Sequence, residues 1–253
     1  MELKGISAIV TGGGSGLGEA TARMLAAEGA KVTCLDRAED AAARVADDIG
    51  GLAIGCDITD ATGTEEAIAR ARDAHGTARI VVNCAGIAPA QKVLSRKGLM
   101  PLDDFRKGVE VNLIGTFNML RLTARDMSEE EPLETGERGV IVNTASIAGY
   151  EGQIGQTSYA ASKAGVIGLT LPAAREFAPL GIRVCTIAPG IFETAMLKGL
   201  PEAAQESLGA SVPFPSRLGQ PSEYAQLVRS IAENPMINGE VIRIDGALRM
   251  PPK

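Results

Sequence analysis

Short apolar runs recur along the chain, and longer segments with apolar positions at helical spacing separate them. The runs predict β-strands at 6–10, 31–36, 52–56, 79–83, 139–145, 182–187 and 241–244. The intervening segments predict α-helices at 17–28, 38–48, 61–74, 102–127, 157–178 and 222–233. Strands that alternate with helices form a parallel sheet with helices on both faces. We therefore predict an α/β fold over one domain, residues 1–253, with a doubly wound parallel sheet of about seven strands.

Two segments depart from this alternation. Residues 192–217 mix short apolar stretches with prolines, which favours a lid over a substrate, although a packed connecting helix would show the same pattern. The apolar residues of this segment include Met196, Leu197, Leu200 and Phe214. Residues 87–100 form a predicted loop with Lys92, Arg96 and Lys97, which is either a solvated face or a contact for an anionic part of a substrate.

Composition narrows the class of protein. The chain has 253 residues, 45% of them hydrophobic, and a net charge of −6, so nothing attracts it in general to nucleic acid or to an anionic membrane. We expect no nucleic-acid or membrane partner. Because the first predicted strand begins within a few residues of Met1, we expect no targeting peptide and a cytoplasmic protein, with the mitochondrial matrix as the alternative.

Cysteine and histidine usage limits the chemistry further. The four cysteines, Cys34, Cys56, Cys84 and Cys185, lie in or beside predicted strands, which is typical of buried free thiols. His75 is the only histidine and lies outside every motif, so a Ser-His-Asp triad and a histidine metal site both lack residues. We predict no metal.

A glycine-rich loop follows the first predicted strand. Thr11-Gly-Gly-Gly-Ser-Gly-Leu-Gly18 leads directly into a helical segment, where closely approaching backbone N–H groups favour a pyrophosphate. The spacing differs from G-x-G-x-x-G because position 17 is Leu and position 19 is Glu. No Gly-Lys-Ser/Thr follows, so the loop is not a nucleoside triphosphate loop either. These features predict a pyrophosphate-binding loop at the start of the helix.

The second predicted strand ends in an acid, Asp36, 18 residues after Gly18. In a dinucleotide fold such a carboxylate binds the adenosine ribose hydroxyls and repels a 2′-phosphate, so we predict NAD as the cofactor. The alternative is that Asp36 caps the helix that begins near Ala38, and both roles are compatible.

A second group of polar residues has the composition of an acid/base site. Tyr159 and Lys163 are one helical turn apart, so the ammonium can lower the pKa of the phenol. Ser146 follows an apolar run and would offer its hydroxyl to a substrate oxygen.

These motifs, in order, are Thr11-Gly-x-x-x-Gly-x-Gly18, Asn83-Cys-Ala-Gly86, Ser146, Tyr159-x-x-x-Lys163 and Pro189-Gly190. Together they resemble the short-chain dehydrogenase/reductase family along essentially the whole chain. The resemblance implies that the cofactor is held by Gly12, Ser15, Gly16, Leu17, Gly18, Asp36, Asp57, Ile58, Asn83, Ala85, Gly86, Tyr159, Lys163, Pro189, Gly190, Phe192 and Thr194. In particular it implies that Asp57 and Ile58 contact the adenine and Thr194 the carboxamide. Position 84 is Cys where many members have Asn or Ala, a change that we expect to be tolerated.

The resemblance also implies the catalytic roles. Tyr159 would be the general base in oxidation and the acid in reduction, Lys163 would lower its pKa, and Ser146 would hold the substrate oxygen. Asn112 matches the residue that bends a helix and supports a water chain to the lysine. Relatives pair through the helices at 102–127 and 157–178, so we expect a homotetramer.

Longer stretches, such as Glu151-Gly-Gln-Ile-Gly-Gln156 and Val212-Pro-Phe-Pro-Ser-Arg-Leu-Gly219, are similar to the type 2 3-hydroxyacyl-CoA dehydrogenases, a subgroup of the family. This implies NAD-dependent interconversion of 3-hydroxyacyl-CoA and 3-ketoacyl-CoA in fatty acid metabolism, with Gln153 and Gln156 flanking the substrate beside Ser146 and Tyr159. The alternatives are a hydroxysteroid dehydrogenase, a 3-ketoacyl-carrier-protein reductase of the same family, or a nucleotide-binding scaffold without turnover.

Overall fold

The sheet that the apolar runs predict is present. A computed structural model describes residues 1–96, 98–194, 197 and 202–252, and its main sheet has seven parallel strands. These strands are β1 (Ser7–Thr11), β2 (Lys31–Asp36), β3 (Leu52–Gly55), β4 (Ile80–Asn83), β7 (Gly139–Thr144), β8 (Ile182–Pro189) and β9 (Val241–Ile244). Their order is β3-β2-β1-β4-β7-β8-β9, so the predicted doubly wound α/β class is confirmed.

Helices connect the strands within the described residues. They are α1 (Gly16–Ala27), α2 (Glu39–Ile49), α3 (Ala61–His75), α4 (Leu102–Val109), α5 (Thr116–Ser128), α6 (Thr157–Phe177), α7 (Glu202–Ala210) and α8 (Pro221–Glu233). Short turns of 3₁₀-helix lie at Ile147–Gly149 and Ala178–Leu180. No helix in the part of the chain that the structure describes is long and apolar enough to span a bilayer.

Alternate residues of each strand feed two hydrophobic cores on opposite faces of the sheet. On one face Val10 and Val82 pack with residues of α1, α2 and α8, such as Leu25. On the other face Ile9 and Val81 pack with α3, α5 and α6. The central strands β1, β4, β7 and β8 are therefore buried on both sides, which explains their apolar runs in the sequence, whereas the edge strands β3 and β9 are only partly buried.

The helix predicted over 102–127 is interrupted. A stretch of π-helix, Glu110–Gly115, separates α4 from α5. The Asn112 amide makes hydrogen bonds outside its own helix, to Ile87 and to Ser162. An added Cβ at Gly115 would lie 2.7 Å from Ile58, so only glycine allows this close approach. These tertiary contacts override the continuous helical periodicity.

The segment predicted as a loop over 87–100 contains a small antiparallel hairpin, β5 (Leu94–Ser95) with β6 (Gly98–Leu99). Lys97 lies outside the described residues, as do Met196 and Leu200 of the segment 192–217. Within 192–217 the structure describes α7, and Phe214 is 83% exposed.

Candidate active site

The sheet topology brings the predicted motifs to one edge. Strands β1, β4 and β7 are neighbours, and Thr11, Asn83 and Asn143 occupy the same register near their carboxyl ends. The main chain joins these ends, since Cys84 N–H donates to Thr11 O at 3.2 Å. Ala85 N–H also donates to the Thr11 hydroxyl at 3.1 Å. In doubly wound sheets ligands bind in the crevice at this edge.

The glycine loop is packed so tightly that side chains are excluded from it. Gly12 has φ +65°, and an added Cβ would lie 2.9 Å from the backbone nitrogen of Ala85. A Cβ on Gly18 would lie only 2.1 Å from the carbonyl oxygen of Gly12. The loop thus folds back on the first turn of α1, which leaves its outer surface as a backbone-lined cradle at a helix N-terminus.

The outer part of this cradle faces the start of the segment 192–217. Ser15 is exposed and in extended conformation before α1, while Leu17 is partly buried. An added Cβ on Gly16 would lie 3.8 Å from Cγ2 of Thr194. The predicted phosphate contact and the predicted carboxamide contact therefore lie next to each other in one cleft.

Asp36 belongs to the same cleft. One carboxylate oxygen accepts the Gly14 N–H at 3.1 Å, and the other accepts the Ala38 N–H at 2.9 Å. Because α2 begins only at Glu39, with Ala38 as its N-cap residue, Asp36 orders the turn before the helix and does not cap the helix itself. The carboxylate is thereby held directly against the glycine loop.

The two residues predicted to contact the adenine differ in exposure. Asp57 is exposed, and its Oδ1 accepts both the N–H and the hydroxyl of Thr59, which lowers the pKa of the Asp57 carboxyl. Ile58 is buried at 5% exposure, and its carbonyl accepts from the Asn118 amide at 3.0 Å. Asp57 is accessible at the rim of the cleft, whereas Ile58 contributes mainly to the core.

The Asn83-Cys-Ala-Gly86 motif is divided between the sheet and the cleft. The Asn83 side chain is 1% exposed and donates to Asn143 Oδ1 at 2.9 Å, so a cofactor contact from Asn83 would have to use its main chain. An added Cβ on Gly86 would lie 3.0 Å from Asn112 Oδ1 and 3.5 Å from Lys163 Nζ. Gly86 therefore allows the loop to cross directly over the lysine.

Pro189, Gly190 and Phe192 follow at the end of β8. Gly190 N–H donates to Ile244 O at 2.9 Å, which fixes the turn against β9. The Phe192 ring is 5% exposed and covers Gly219, where an added Cβ would lie 2.8 Å from the ring. The Phe192 ring is thus a packing group, and its backbone directs the chain towards Thr194.

The predicted acid/base residues lie beside the cleft. Ser146 lies two residues after the end of β7, and its Oγ accepts the Ala148 N–H at 3.1 Å. Tyr159 lies in the first turn of α6, and burial raises the pKa of its phenol while a hydrogen bond with Ser146 acts in the opposite direction. The sequence predicts that Lys163 lowers the pKa of this phenol. In the protein itself, the effect of burial is larger and the pKa is raised.

Lys163 is held away from solvent. It is 5% exposed, its Nζ donates to Thr144 O at 2.7 Å, and it lies 5.9 Å from the centroid of the Tyr159 ring. Burial lowers the pKa of Lys163 to about 8. The ammonium is close enough to the phenol to favour its ionised form, although it makes no direct hydrogen bond to it.

Asn112 lies at the centre of the site. Its Oδ1 accepts the Ile87 N–H at 2.8 Å, and its Nδ2 donates to Ile87 O and to Ser162 Oγ, both at 2.9 Å. Asn112 thus connects the π-helix to the loop after β4 and also to α6. These bonds fix the position of α6, the helix that carries Tyr159 and Lys163.

Gln153 and Gln156 lie on the turn before α6. Gln153 N–H donates to Gln156 Oε1 at 3.0 Å, and Gln153 Nε2 donates to Pro251 O at 3.2 Å. The two side chains therefore order this turn and attach it to the C-terminal segment.

Sequence reasoning missed three groups that hold the site together. Thr144 supplies the carbonyl that binds Lys163, Ser162 binds Asn112, and Tyr224 hydrogen-bonds Thr144 from α8. Ser162 and Thr144 adjoin predicted site residues, which is a weak signal. Tyr224 is distant in sequence from every motif, and only the packing of α8 under the sheet reveals it.

Comparison with known proteins identifies the family. The family model described as short chain dehydrogenase matches residues 7–205. The chain therefore belongs to the short-chain dehydrogenase family, and the predicted membership is confirmed.

Individual relatives are similar over almost the whole chain. The Homo sapiens protein named 3-hydroxyacyl-CoA dehydrogenase type-2 is 50% identical over 99% of this chain and 97% of its own length. The ipsdienol dehydrogenase of Ips pini is 36% identical over 95% of this chain and 96% of its own. The crystal structure of 3-hydroxyacyl-CoA dehydrogenase type-2 from Mycobacterium avium has a TM-score of 0.93 and 45% identity, with 98% of each chain covered.

Proposed function

We propose that this enzyme is an NAD-dependent 3-hydroxyacyl-CoA dehydrogenase. The observation that carries the proposal is the grouping of Ser146, Tyr159 and Lys163 beside the glycine loop, in a chain 50% identical to a protein named for that activity. A binding scaffold would have no need for a phenol hydrogen-bonded to a serine and an ammonium 5.9 Å from its ring.

The glycine cradle fits a dinucleotide. Side chains on Gly12 and Gly18 would collide with backbone atoms, so the loop can present N–H groups closely to a pyrophosphate. In our proposal Ser15, Gly16 and Leu17 bind the phosphates, Asp36 the adenosine ribose, Asp57 the adenine rim and Thr194 the carboxamide. When bound, NAD⁺ supplies the hydride acceptor for the oxidation.

Asp36 supports NAD over NADP. Its carboxylate is held against the glycine loop by the Gly14 N–H, so a 2′-phosphate on the ribose would meet a fixed negative charge. Family membership alone implies only a nicotinamide cofactor, and the choice of NAD depends on this residue.

The proton transfer is assigned to Tyr159. In oxidation its phenolate would take the proton of the substrate hydroxyl, while Ser146 donates a hydrogen bond to the same oxygen. Burial opposes ionisation of the Tyr159 phenol. In our proposal the positive charge of Lys163 offsets this unfavourable effect of burial. Asn112 keeps the helix carrying both residues in register with the loop over Lys163.

The substrate would lie between the turn of Gln153 and Gln156 and the segment 192–217, which we propose as a lid. The loop between β4 and the hairpin borders the same side, because Gln91 N–H donates to Gly155 O at 2.7 Å. Lys92 in this loop and Arg96 in the hairpin are exposed and would contact the anionic end of CoA.

We further propose a homotetramer. Residues on α5 and α6 and just beyond α6 form an exposed apolar surface, with Phe117 50%, Leu171 44% and Leu180 38% exposed. A groove of about 450 Å³ runs between the two helices along this surface. An apolar surface of this kind on paired helices favours association with a second copy of the chain.

Initial rates with NAD⁺ test the proposed substrate. A panel of 3-hydroxyacyl-CoA thioesters, hydroxysteroids and short alcohols, including a terpene alcohol, should give the highest kcat/KM with a 3-hydroxyacyl-CoA. A higher kcat/KM for a steroid would favour the hydroxysteroid dehydrogenase alternative, and no turnover with any alcohol would favour a scaffold.

A further inference from the structure

A tyrosine outside the motifs is buried behind the site. Tyr224, in α8, is 0% exposed, and its hydroxyl lies 2.7 Å from Thr144 Oγ1. Burial raises the pKa of this phenol well above its ordinary value, so it remains a neutral hydrogen-bonding group. A buried hydroxyl needs a partner, and Thr144 is the strongest one that Tyr224 has in the described residues.

Thr144 connects this hydroxyl to the acid/base site. Its side chain binds Tyr224, and its carbonyl oxygen accepts from Lys163 Nζ at 2.7 Å. Cys84 closes the cluster, since its Sγ lies 3.6 Å from both the Tyr224 hydroxyl and Thr144 Oγ1. Thr144 is therefore held by Tyr224 and Cys84 through its side chain and by Lys163 through its carbonyl.

We propose that Tyr224 is a positioning residue for Lys163, acting through Thr144 and supported by Cys84. This inference rests on the proposed function, in which the charge of Lys163 supports ionisation of Tyr159. Thr144 is the last residue of β7 and pairs with Ile187 of β8, whereas the pairing of β7 with β4 ends at Asn143. The Tyr224 hydroxyl holds this strand end, and so holds the carbonyl that orients the ammonium.

The structure offers a reason for the cysteine at position 84. A thiol at this position is small enough to lie against both the Tyr224 and the Thr144 hydroxyls, and burial keeps the pKa of Cys84 raised, so the thiol stays neutral. The substitution of Cys for Asn or Ala in this motif is consistent with the presence of Tyr224 behind it.

The expected effect of removing the hydroxyl is on the proton-transfer step. With Thr144 less restrained, the hydrogen bond to Lys163 weakens and its charged form is less favoured. The phenol of Tyr159 then ionises at higher pH, and the acidic limb of kcat/KM for oxidation moves to higher pH. The titratable groups facing Lys163 are Cys84 from the loop after β4, Tyr159 from α6 and, through Thr144, Tyr224 from α8.

The test compares Tyr224→Phe, Thr144→Val and Thr144→Ser in the full-length enzyme. Tyr224→Phe and Thr144→Val each delete one hydroxyl at nearly constant volume, and each should lower kcat about three- to tenfold, the rate equivalent of one neutral hydrogen bond. Each should also move the acidic limb upward by about half a pH unit. NADH affinity should remain within about twofold, because the glycine loop is untouched.

Two comparisons separate positioning from loss of stability. Thr144→Ser keeps the hydroxyl and should restore the wild-type pH profile. The double variant Tyr224→Phe/Thr144→Val should show no larger effect than the stronger single variant, because both delete the same interaction.

Thr170→Val is the matched control. Thr170 is 0% exposed, and its hydroxyl lies 2.6 Å from Thr186 Oγ1, so it forms a buried hydroxyl pair of the same kind. It lies farther along α6 than Lys163. The Thr170→Val variant should lower the melting temperature as Tyr224→Phe does, yet leave the pH profile of kcat/KM at the wild-type position.

A wild-type pH profile in Tyr224→Phe, with active wild-type enzyme, would overturn this inference while leaving the proposed function intact. A profile that shifts equally in Thr170→Val would also overturn it, because general destabilisation would then explain the effect. Absence of dehydrogenase activity in the wild type would instead contradict the proposed function itself.

Discussion

The burial of Lys163 makes a prediction about stability that is independent of any substrate. Replacing Lys163 with Met keeps an unbranched chain of similar length and removes the ammonium. In the wild type that ammonium is 5% exposed and its chief direct partner in the described residues is the carbonyl of Thr144. A buried amine of this kind destabilises the fold whenever it is protonated and therefore charged.

The magnitude follows from the pKa of Lys163, which burial lowers from 10.5 to about 8. At about 1.36 kcal/mol for each pH unit, this shift corresponds to roughly 3 kcal/mol. Below pH 8 the folded and unfolded chains are both protonated, so the cost is present in full. Between pH 8 and 10.5 the unfolded chain binds more protons than the folded chain, so the free energy of unfolding rises with pH.

The assay is urea denaturation of wild type and Lys163→Met at equal protein concentration, from pH 7 to pH 10, followed by circular dichroism. Other titrating groups are common to both proteins and cancel in the difference. The free energy of unfolding of the wild type should rise relative to the variant by about 2–3 kcal/mol as the pH increases from 8 to 10. At pH 7 the two should be similar, since the variant avoids the burial cost but loses a charged hydrogen bond of about 1.5–3 kcal/mol.

A difference that stays constant from pH 7 to 10 would refute this reasoning, because it would mean that Lys163 titrates alike in the folded and unfolded chains. Lys163→Met should also lack dehydrogenase activity despite being folded.

Three further predictions concern cofactor, substrate and assembly. Wild type should strongly prefer NAD⁺ to NADP⁺, and Asp36→Ala should narrow the ratio of kcat/KM values by weakening NAD⁺ and removing repulsion of the 2′-phosphate; equal use of both by the wild type would count against the role of Asp36. Replacing Lys92, Arg96 and Lys97 with Ala should raise KM for acetoacetyl-CoA severalfold with kcat unchanged, and should leave KM for a small uncharged ketone as it was. If KM for acetoacetyl-CoA is unchanged at low salt, the hairpin is only a solvated face. Sedimentation should give a tetramer that Phe117→Arg dissociates, whereas a monomer at micromolar concentration would exclude the proposed assembly.

Much of the fold follows from local patterns. The central strands β1, β4, β7 and β8 are buried on both faces, so each appears as a mainly apolar run whose ends are given closely by neighbouring polar or glycine residues. The helix over 102–127 is the instructive exception, because its periodicity continues through Asn112 although the structure changes there to π-helix. The cause is tertiary, since the Asn112 amide binds Ile87 and Ser162.

The site shows the same division. Spacing relates Tyr159 to Lys163 directly, and crossover rules bring the glycine loop to the same sheet edge. Other features depend on contacts between distant parts of the chain. The hairpin at Leu94 and Leu99 is too short to leave a strand pattern, and the hydrogen bond of Tyr224 to Thr144 joins residues 80 positions apart. The raised pKa of Tyr159 likewise depends on burial that spacing does not report.

The most direct test of the central claim is the rate of Tyr159→Phe with NAD⁺ and a 3-hydroxyacyl-CoA. The variant deletes the proposed proton carrier and leaves the glycine loop and Asp36 untouched, so NADH should bind with nearly wild-type affinity. Turnover should fall by about 10²–10⁴ or more, the loss expected for one well-placed acid/base group. Near-normal turnover by a folded Tyr159→Phe enzyme would contradict the account.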